Sequence, residues 1–150
     1  AAALGCTGDA VHGEGLKRFA GRHGRLGEPH GFVLGLPLND SPAGAAPLTV
    51  WEGSHEIMRS ALRTRLSGVP PPRWPDADFT DAYVAARREC FERCRRVPLH
   101  ARRGEAYFVH RLALHGIAPW TAAVLGERAI VYFRPDPYPD AARDWWLTQP

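Results

Sequence analysis

The chain has 150 residues, a formal net charge of +3 and a sequence pI near 9.0. A chain of this length can hide about 68% of the surface that its unfolded form exposes. No apolar run is long enough to cross a bilayer and no charged, apolar leader stands out, so a single cytoplasmic domain without a membrane partner is expected. The positive charge comes almost wholly from arginine, with Lys17 the only lysine. A nucleic-acid partner would require a clustered basic face with interleaved aromatics. The densest run, Arg87, Arg88, Arg93, Arg95 and Arg96, is broken by Glu89 and Glu92. Its last three members sit where a helix C-terminus attracts cations, so no nucleic-acid partner is expected. Cys6, Cys90 and Cys94 are odd in number and include no Cys-x-x-Cys. That speaks against a disulfide framework or a zinc knuckle and for reduced thiols.

In chain order, His12, Gly13 and Glu14 come first. Residues two apart on a strand point to one face, so this imidazole and carboxylate can reach the same point in space. His23 and His30 fall in the glycine-rich stretch that follows and read as loop residues. Phe32 to Leu38 reads as a buried strand, and Asn39-Asp40-Ser41-Pro42-Ala43-Gly44 as turn material. After Leu48-Thr49-Val50-Trp51, Ser54 is expected to cap a helix running to about Ser67, with Ile57, Ala61 and Leu62 at helical spacing and Gly68 beyond its end. His55 then falls in the first turn and is not read as a ligand. Pro70, Pro71 and Pro72 form an extended break. A second helix begins after Asp78, with Phe79, Tyr83, Val84, Cys90, Phe91 and Cys94 as one apolar stripe. The cysteines four apart on it read as packing residues. Strands are expected at 11–15, 32–38, 48–51, 97–101, 105–109, 112–115 and 128–133. Trp145-Trp146 reads as a patch closing over a barrel or over a missing partner segment. Many short strands between Gly/Pro turns favour a mainly β core with inserted helices, with no internal repeat or domain boundary.

Leu114-His115-Gly116 answers the early histidine about a hundred residues later. Two histidines and one carboxylate on one face of an ion form the facial triad of non-heme Fe(II) oxygenases, with positions open for a co-substrate and dioxygen. Several ordered elements accompany the trio: the strand after Gly31, Gly53-Ser54-His55, Arg103-Gly104-Glu105 before a strand, and Arg128 opening the last strand. In this order they resemble the phytanoyl-CoA dioxygenase family of Fe(II)/2-oxoglutarate oxygenases, from about His12 to Arg134.

The resemblance implies a double-stranded β-helix, a cupin-like jelly-roll sandwich whose open mouth holds the metal. It assigns His12, Glu14 and His115 to Fe(II), and Arg128 to the distal carboxylate of 2-oxoglutarate, which a planar guanidinium grips through two parallel hydrogen bonds. Arg134 shares a strand face with Arg128 and competes for that role; position at the strand's start favours Arg128. His110 is the rival distal ligand, and the glycine directly after His115 favours His115. Glu14 stands where the family has aspartate, adding about 1.5 Å of reach. The family's domains carry helices and strands ahead of this element, so the chain is expected to be the C-terminal portion of a longer domain.

The implied activity is a 2-oxoglutarate-dependent dioxygenase that hydroxylates a small-molecule substrate with dioxygen. Hydroxylation is favoured over halogenation, because halogenating relatives lack the carboxylate that Glu14 would supply. Two alternatives stand beside it: a non-catalytic jelly-roll binding module, and a cupin-like metalloenzyme independent of 2-oxoglutarate. Oligomeric state and the substrate are left open.

Overall fold

In the computed structural model of the chain, the residues described are 16–18, 24–26, 30–123, 126–136 and 144–149. The expected strand at 11–15 and the residues His12, Glu14, Cys6 and His23 lie outside them. A short antiparallel hairpin, β1 (Leu16–Arg18) and β2 (Gly24–Leu26), occupies part of the stretch read as loop. Then follow β3 (Phe32–Pro37), β4 (Leu48–Trp51), α1 (Ser54–Arg65), a 3-10 turn (Pro71–Asp76), α2 (Thr80–Arg93), β5 (Arg96–Leu99), β6 (Tyr107–His110), β7 (His115–Ile117), β8 (Ile130–Phe133) and α3 (Trp145–Thr148).

The strands after the hairpin form two antiparallel three-stranded sheets, ordered β6-β3-β8 and β5-β4-β7. Content is therefore mixed rather than mainly β, and no barrel closes among the described residues. The alternation of β3 explains how the sheets meet. Val33, Gly35 and Pro37 are buried while Phe32, Leu34 and Leu36 are only partly so, as a period of two dictates when one face is covered. Val33 and Val109 from one sheet pack with Leu48 from the other and with Ala113, and Val50, Leu99, Tyr107 and Tyr132 flank them. The two sheets thus face each other across a small apolar layer. On the far side of the first sheet, Phe108 and Phe133 stay 67% and 49% exposed.

A second and larger core lies on the other face of the β5-β4-β7 sheet. Trp51 joins Met58, Leu62, Leu66, Trp74, Phe79, Ala86, Cys90, Leu112, Leu114 and residues 145–147 there. Full burial of a side chain such as Leu62 or Met58 stabilises by about 1.5–3 kcal/mol. The tryptophan pair, read as a patch closing over a barrel or a missing segment, is part of the helical core, 6% and 1% exposed. Arg111, 4% exposed, secures this C-terminal segment. Its guanidinium donates to the carbonyls of Trp146 at 2.8 Å, Gln149 at 2.5 Å and Trp145 at 3.4 Å, and lies 5.4 Å from the Trp145 ring centre. An arginine suits the task because its fork supplies five donors in fixed directions.

Several local expectations are corrected by packing. Ser54 does not cap α1; Gly53 takes the N-cap in the left-handed region at φ 80° with no side-chain cap bond, a conformation that glycine adopts without steric cost. Pro71–Asp76 forms a 3-10 turn instead of an extended break, because Trp74 is buried and donates its indole N–H to the Val69 carbonyl at 2.8 Å. On α2, Val84 is 50% exposed while Ala86 and Cys90, four apart, face the core; the stripe is narrower than read. Asp78 holds the helix start by accepting from the Thr80 N–H at 2.9 Å. Residues 112–114 form no strand: Leu112 and Leu114 turn into the helical core and Ala113 into the layer between the sheets.

Several basic residues on and just after α2 are occupied locally. Arg93 pairs with Glu89, Arg95 with Glu52 at 2.9 Å, and the Arg87 guanidinium sits 4.8 Å from the Phe91 ring centre. Cys90 and Cys94 are free thiols, and burial first, then Cys94, pushes the Cys90 thiol up to about 12. An un-ionised thiol there packs and does not react. No helix among the described residues is long and apolar enough to cross a membrane.

Candidate functional site

His115 is the first residue of β7, 2% exposed, and pairs with Val50 across the sheet. Directly opposed residues share a face, and Val50 packs against the layer between the sheets, so His115 faces that layer too. The backbone beside it is fixed from three directions. Leu114 is completely buried; its N–H donates to the Ser54 hydroxyl at 2.8 Å, and its carbonyl accepts from the Trp51 N–H at 2.9 Å. Ser54 in turn donates to the Trp51 carbonyl at 2.5 Å. Ser54, read as a helix cap, is instead the buried brace that ties α1 to the residue preceding His115.

The His115 ring is oriented by its own strand entry. Nδ1 lies 2.8 Å from the Ala113 carbonyl, which can only accept, so Nδ1 carries a proton and the ring is held in one orientation. A histidine that binds a metal commonly has its second nitrogen held this way. In donor type and burial His115 therefore fits a metal ligand. His12 and Glu14, the other two expected ligands, fall outside the described residues, and no group of three metal-binding side chains occurs among the described ones.

His110 stands differently. On β6, Tyr107 and Val109 pack toward the inter-sheet layer, whereas His110 shares parity with the exposed Phe108. Leu112 donates its N–H to Nδ1 at 3.0 Å, Arg59 lies 3.1 Å from Nε2, and the His55 ring is centred 4.8 Å away. Burial, then the charges of Arg111, His55 and Arg59, push its pKa down to about 4. His110 is thus a neutral packing residue between β6 and α1, and His55 completes that contact while pairing with Glu56 at 3.2 Å.

The opposite sheet brings Arg128 to the same layer. Arg128 is half-buried two residues ahead of β8 and donates to the Tyr132 hydroxyl at 2.9 Å; Tyr132 flanks the inter-sheet layer. Asn39 holds the backbone on both sides of Arg128: it accepts from the Ala129 N–H at 2.9 Å and donates to the Glu127 carbonyl at 3.0 Å. Arg134 is exposed, with its guanidinium 5.7 Å from the Tyr132 ring centre.

Two tyrosines complete the surface and were not singled out in the sequence. Tyr107 and Tyr132 both pair with Gly35, one from each neighbouring strand. A β-carbon at Gly35 would run deep into the Tyr107 ring, so the glycine leaves the space in which the rings incline over the sheet, their hydroxyls 3.1 Å apart. Burial, followed by the bond to Tyr132, raises the Tyr107 phenol above its ordinary range, so it remains a neutral hydroxyl. The signal was present in the chain: Arg128 and Tyr132 are an even number apart on a strand, and a lone glycine inside an apolar strand marks a close approach.

The layer between the sheets is thus lined by an oriented imidazole on one side and by a guanidinium with two hydroxyls on the other. Leu48, Val50, Val33 and Val109 are the apolar residues between them. Such a surface can take a ligand with an acidic end and a metal-binding end. An open cleft of about 650 Å³ lies elsewhere, between α1 and α2, and is lined by Ser60, Ala61, Ala82 and Ala85 among others; it holds none of these groups. No family model, curated protein or solved structure matches the chain.

Proposed function

We propose that the chain is an Fe(II)/2-oxoglutarate-dependent dioxygenase of jelly-roll architecture that hydroxylates a small-molecule substrate, as the resemblance to the phytanoyl-CoA dioxygenase family implies. The observation that carries this reading is the pairing order, with His115 and Arg128 facing one layer. A jelly roll is a long hairpin of eight strands folded over on itself. Its third strand pairs with the sixth and its fourth with the fifth; folding also lays the third beside the eighth and the fourth beside the seventh. Taking β3 to β8 as the third to eighth strands, the pairings among these six agree: β3 with β6 and β8, β4 with β5 and β7; the β1–β2 hairpin stands apart from this order. On this reading His115 opens the seventh strand and Arg128 precedes the eighth.

Fe(II) would be held by His115 together with His12 and Glu14. Once bound, it would supply the activation of dioxygen coupled to oxidative decarboxylation of 2-oxoglutarate into succinate and carbon dioxide. The chain's own groups do the rest. The Ala113 carbonyl keeps Nε2 of His115 as the donor atom, and Ser54 and Trp51 hold Leu114 so that the imidazole enters the layer at a fixed angle. Arg128, its backbone straddled by Asn39, neutralises the distal carboxylate of 2-oxoglutarate. The surrounding valines and leucines exclude water, which strengthens that charge pairing. Glu14 would reach about 1.5 Å further than an aspartate: either its backbone would stand further from the ion or binding would be impaired.

The test is Fe(II)-dependent succinate release from 2-oxoglutarate. The expected result is release that requires both Fe(II) and dioxygen and falls to background in His115→Ala. Release at background in the wild-type chain, or unchanged in His115→Ala, overturns the reading. A chain that binds 2-oxoglutarate and metal without turnover would fit the non-catalytic module instead.

A further inference from the structure

The outer face of the β6-β3-β8 sheet, turned away from the candidate site, carries an inference that stands whether or not that site binds 2-oxoglutarate. By the period of two, this face holds Phe32, Leu34 and Leu36 of β3, Phe108 of β6, and Val131 and Phe133 of β8. Leu38 continues the series one step past β3. None is charged. His110 is the one polar residue of the three strands with this parity, and it lies at the end of β6, held by Leu112 and Arg59. Seven large apolar side chains are exposed among the described residues, and four of them, Phe108, Leu38, Phe133 and Val131, fall on this single face. Apolar residues exposed singly are ordinary, whereas a contiguous group marks an interaction surface. This group is contiguous: Leu34 pairs with Phe108 on one side and Phe133 on the other, Leu36 pairs with Val131, and the Phe32 ring stands edge-on to Phe108 with centroids 5.2 Å apart.

We propose that this face is the contact of a two-fold dimer, its occupant a second copy of the chain. The four exposed side chains present on the order of 400 Å² of apolar surface to water, and Phe32, Leu34 and Leu36 add to it. A standard interface buries about 800 Å² per partner, a little over half of it apolar, so the patch supplies the apolar share that one side of a stable dimer needs. Its chemistry selects the partner. A charged or strongly polar surface laid here would give up hydration and find no group to pair with. An uncharged sheet face is complementary to itself, as an isologous contact demands. Two antiparallel sheets stack about 10 Å apart with their strands within about 30° of parallel. The row Phe108-Leu34-Phe133 suits that stacking, because a two-fold axis along β3 or across it sets a phenylalanine of one copy opposite a phenylalanine of its partner.

Sedimentation velocity of the full chain tests this, with thermal melting as a check on folding. The series runs up to about 100 μM, above the weakest affinity expected of an interface of standard size. The wild-type chain is expected to form a dimer and to grow no further, since a two-fold contact closes on itself. Burial of one phenylalanine contributes about tenfold or more to binding and is lost from both copies, so Phe108→Asp and Phe133→Asp should each raise the dimer dissociation constant at least about a hundredfold. Should either lower the melting temperature strongly, Leu38→Asp, past the end of β3, carries the comparison. Val84→Asp, at an exposed apolar residue of α2, is the control and should leave the dimer intact. A wild-type chain that stays monomeric, growth beyond two copies, or a dimer that persists in folded Phe108→Asp and Phe133→Asp overturns the proposal, as does equal loss in Val84→Asp. Succinate release plays no part in these outcomes, so the dimer and the oxygenase reading fail separately.

Discussion

The two faces of the β5-β4-β7 sheet do different work. One packs against α1, α2 and α3 in a core with tryptophans and long aliphatic side chains, where polar atoms such as the Ser54 hydroxyl and the Arg111 guanidinium are consumed by backbone partners. The other faces the β6-β3-β8 sheet across a thin layer of valine, leucine and alanine, and its margin is lined by His115, Arg128, Tyr107 and Tyr132. Hydrophobic burial on the first face supplies stability. The second keeps polar groups in fixed orientations at the edge of an apolar layer, as the proposed ligand site requires. Leu114 and His115, adjacent in the chain, point into the two regions in turn, so the rigidity of one is delivered directly to the other.

Substitutions should separate the two regions. The largest effect is expected from Met58→Ala on the helical face, a loss of about 2–5 kcal/mol in unfolding free energy, measured by urea denaturation, with 2-oxoglutarate affinity of the folded fraction unchanged. Gly35→Ala should do the reverse. Its β-carbon forces the Tyr107 ring aside for about 1–3 kcal/mol of stability, while 2-oxoglutarate binding by calorimetry falls. A Gly35→Ala chain that binds as well as wild type would show that the tyrosine pair is only packing.

A further effect, screened because His110 is only half-buried, concerns pH. His110 titrates at about 4 in the folded chain against an ordinary 6.5, so between those values the unfolded chain binds a proton that the folded chain does not. Stability present above the higher value is lost as the pH falls through the window toward the lower one. The urea midpoint should therefore drop between about pH 7 and about pH 4, and less steeply in His110→Gln. The groups opposing the proton are Arg111, His55 and Arg59. Equal slopes in the two proteins would show that His110 does not carry this dependence.

Much of the fold was legible because short range dictates it. The strand 48–51 agrees to the residue, the strand at 32–38 and both long helices agree to within about two residues, and the thiols are packing residues as read. Two of the misreadings share one cause: a residue whose local preference was overruled by a distant partner. Ser54 prefers a helix cap, yet its hydroxyl is claimed by Leu114 from sixty positions away. Residues 112–114 alternate like a strand, yet the alternation divides them between two cores. Of the candidate site, the sequence singled out His115 and Arg128 only through the family resemblance. Tyr107, Tyr132 and Asn39 were not legible, because their roles exist only once β6 and β8 flank β3 and the turn after β3 reaches Glu127 and Ala129.

The most direct measurement is anaerobic titration of Fe(II) into the chain with 2-oxoglutarate present, followed by the visible charge-transfer band that a chelated 2-oxo acid gives. The account predicts a band in the wild-type chain, its loss in His115→Ala, and its survival in Arg128→Gln only at much higher 2-oxoglutarate. No band in the wild-type chain, or a band indifferent to both substitutions, would contradict the claim that the two sheets hold one ligand between them.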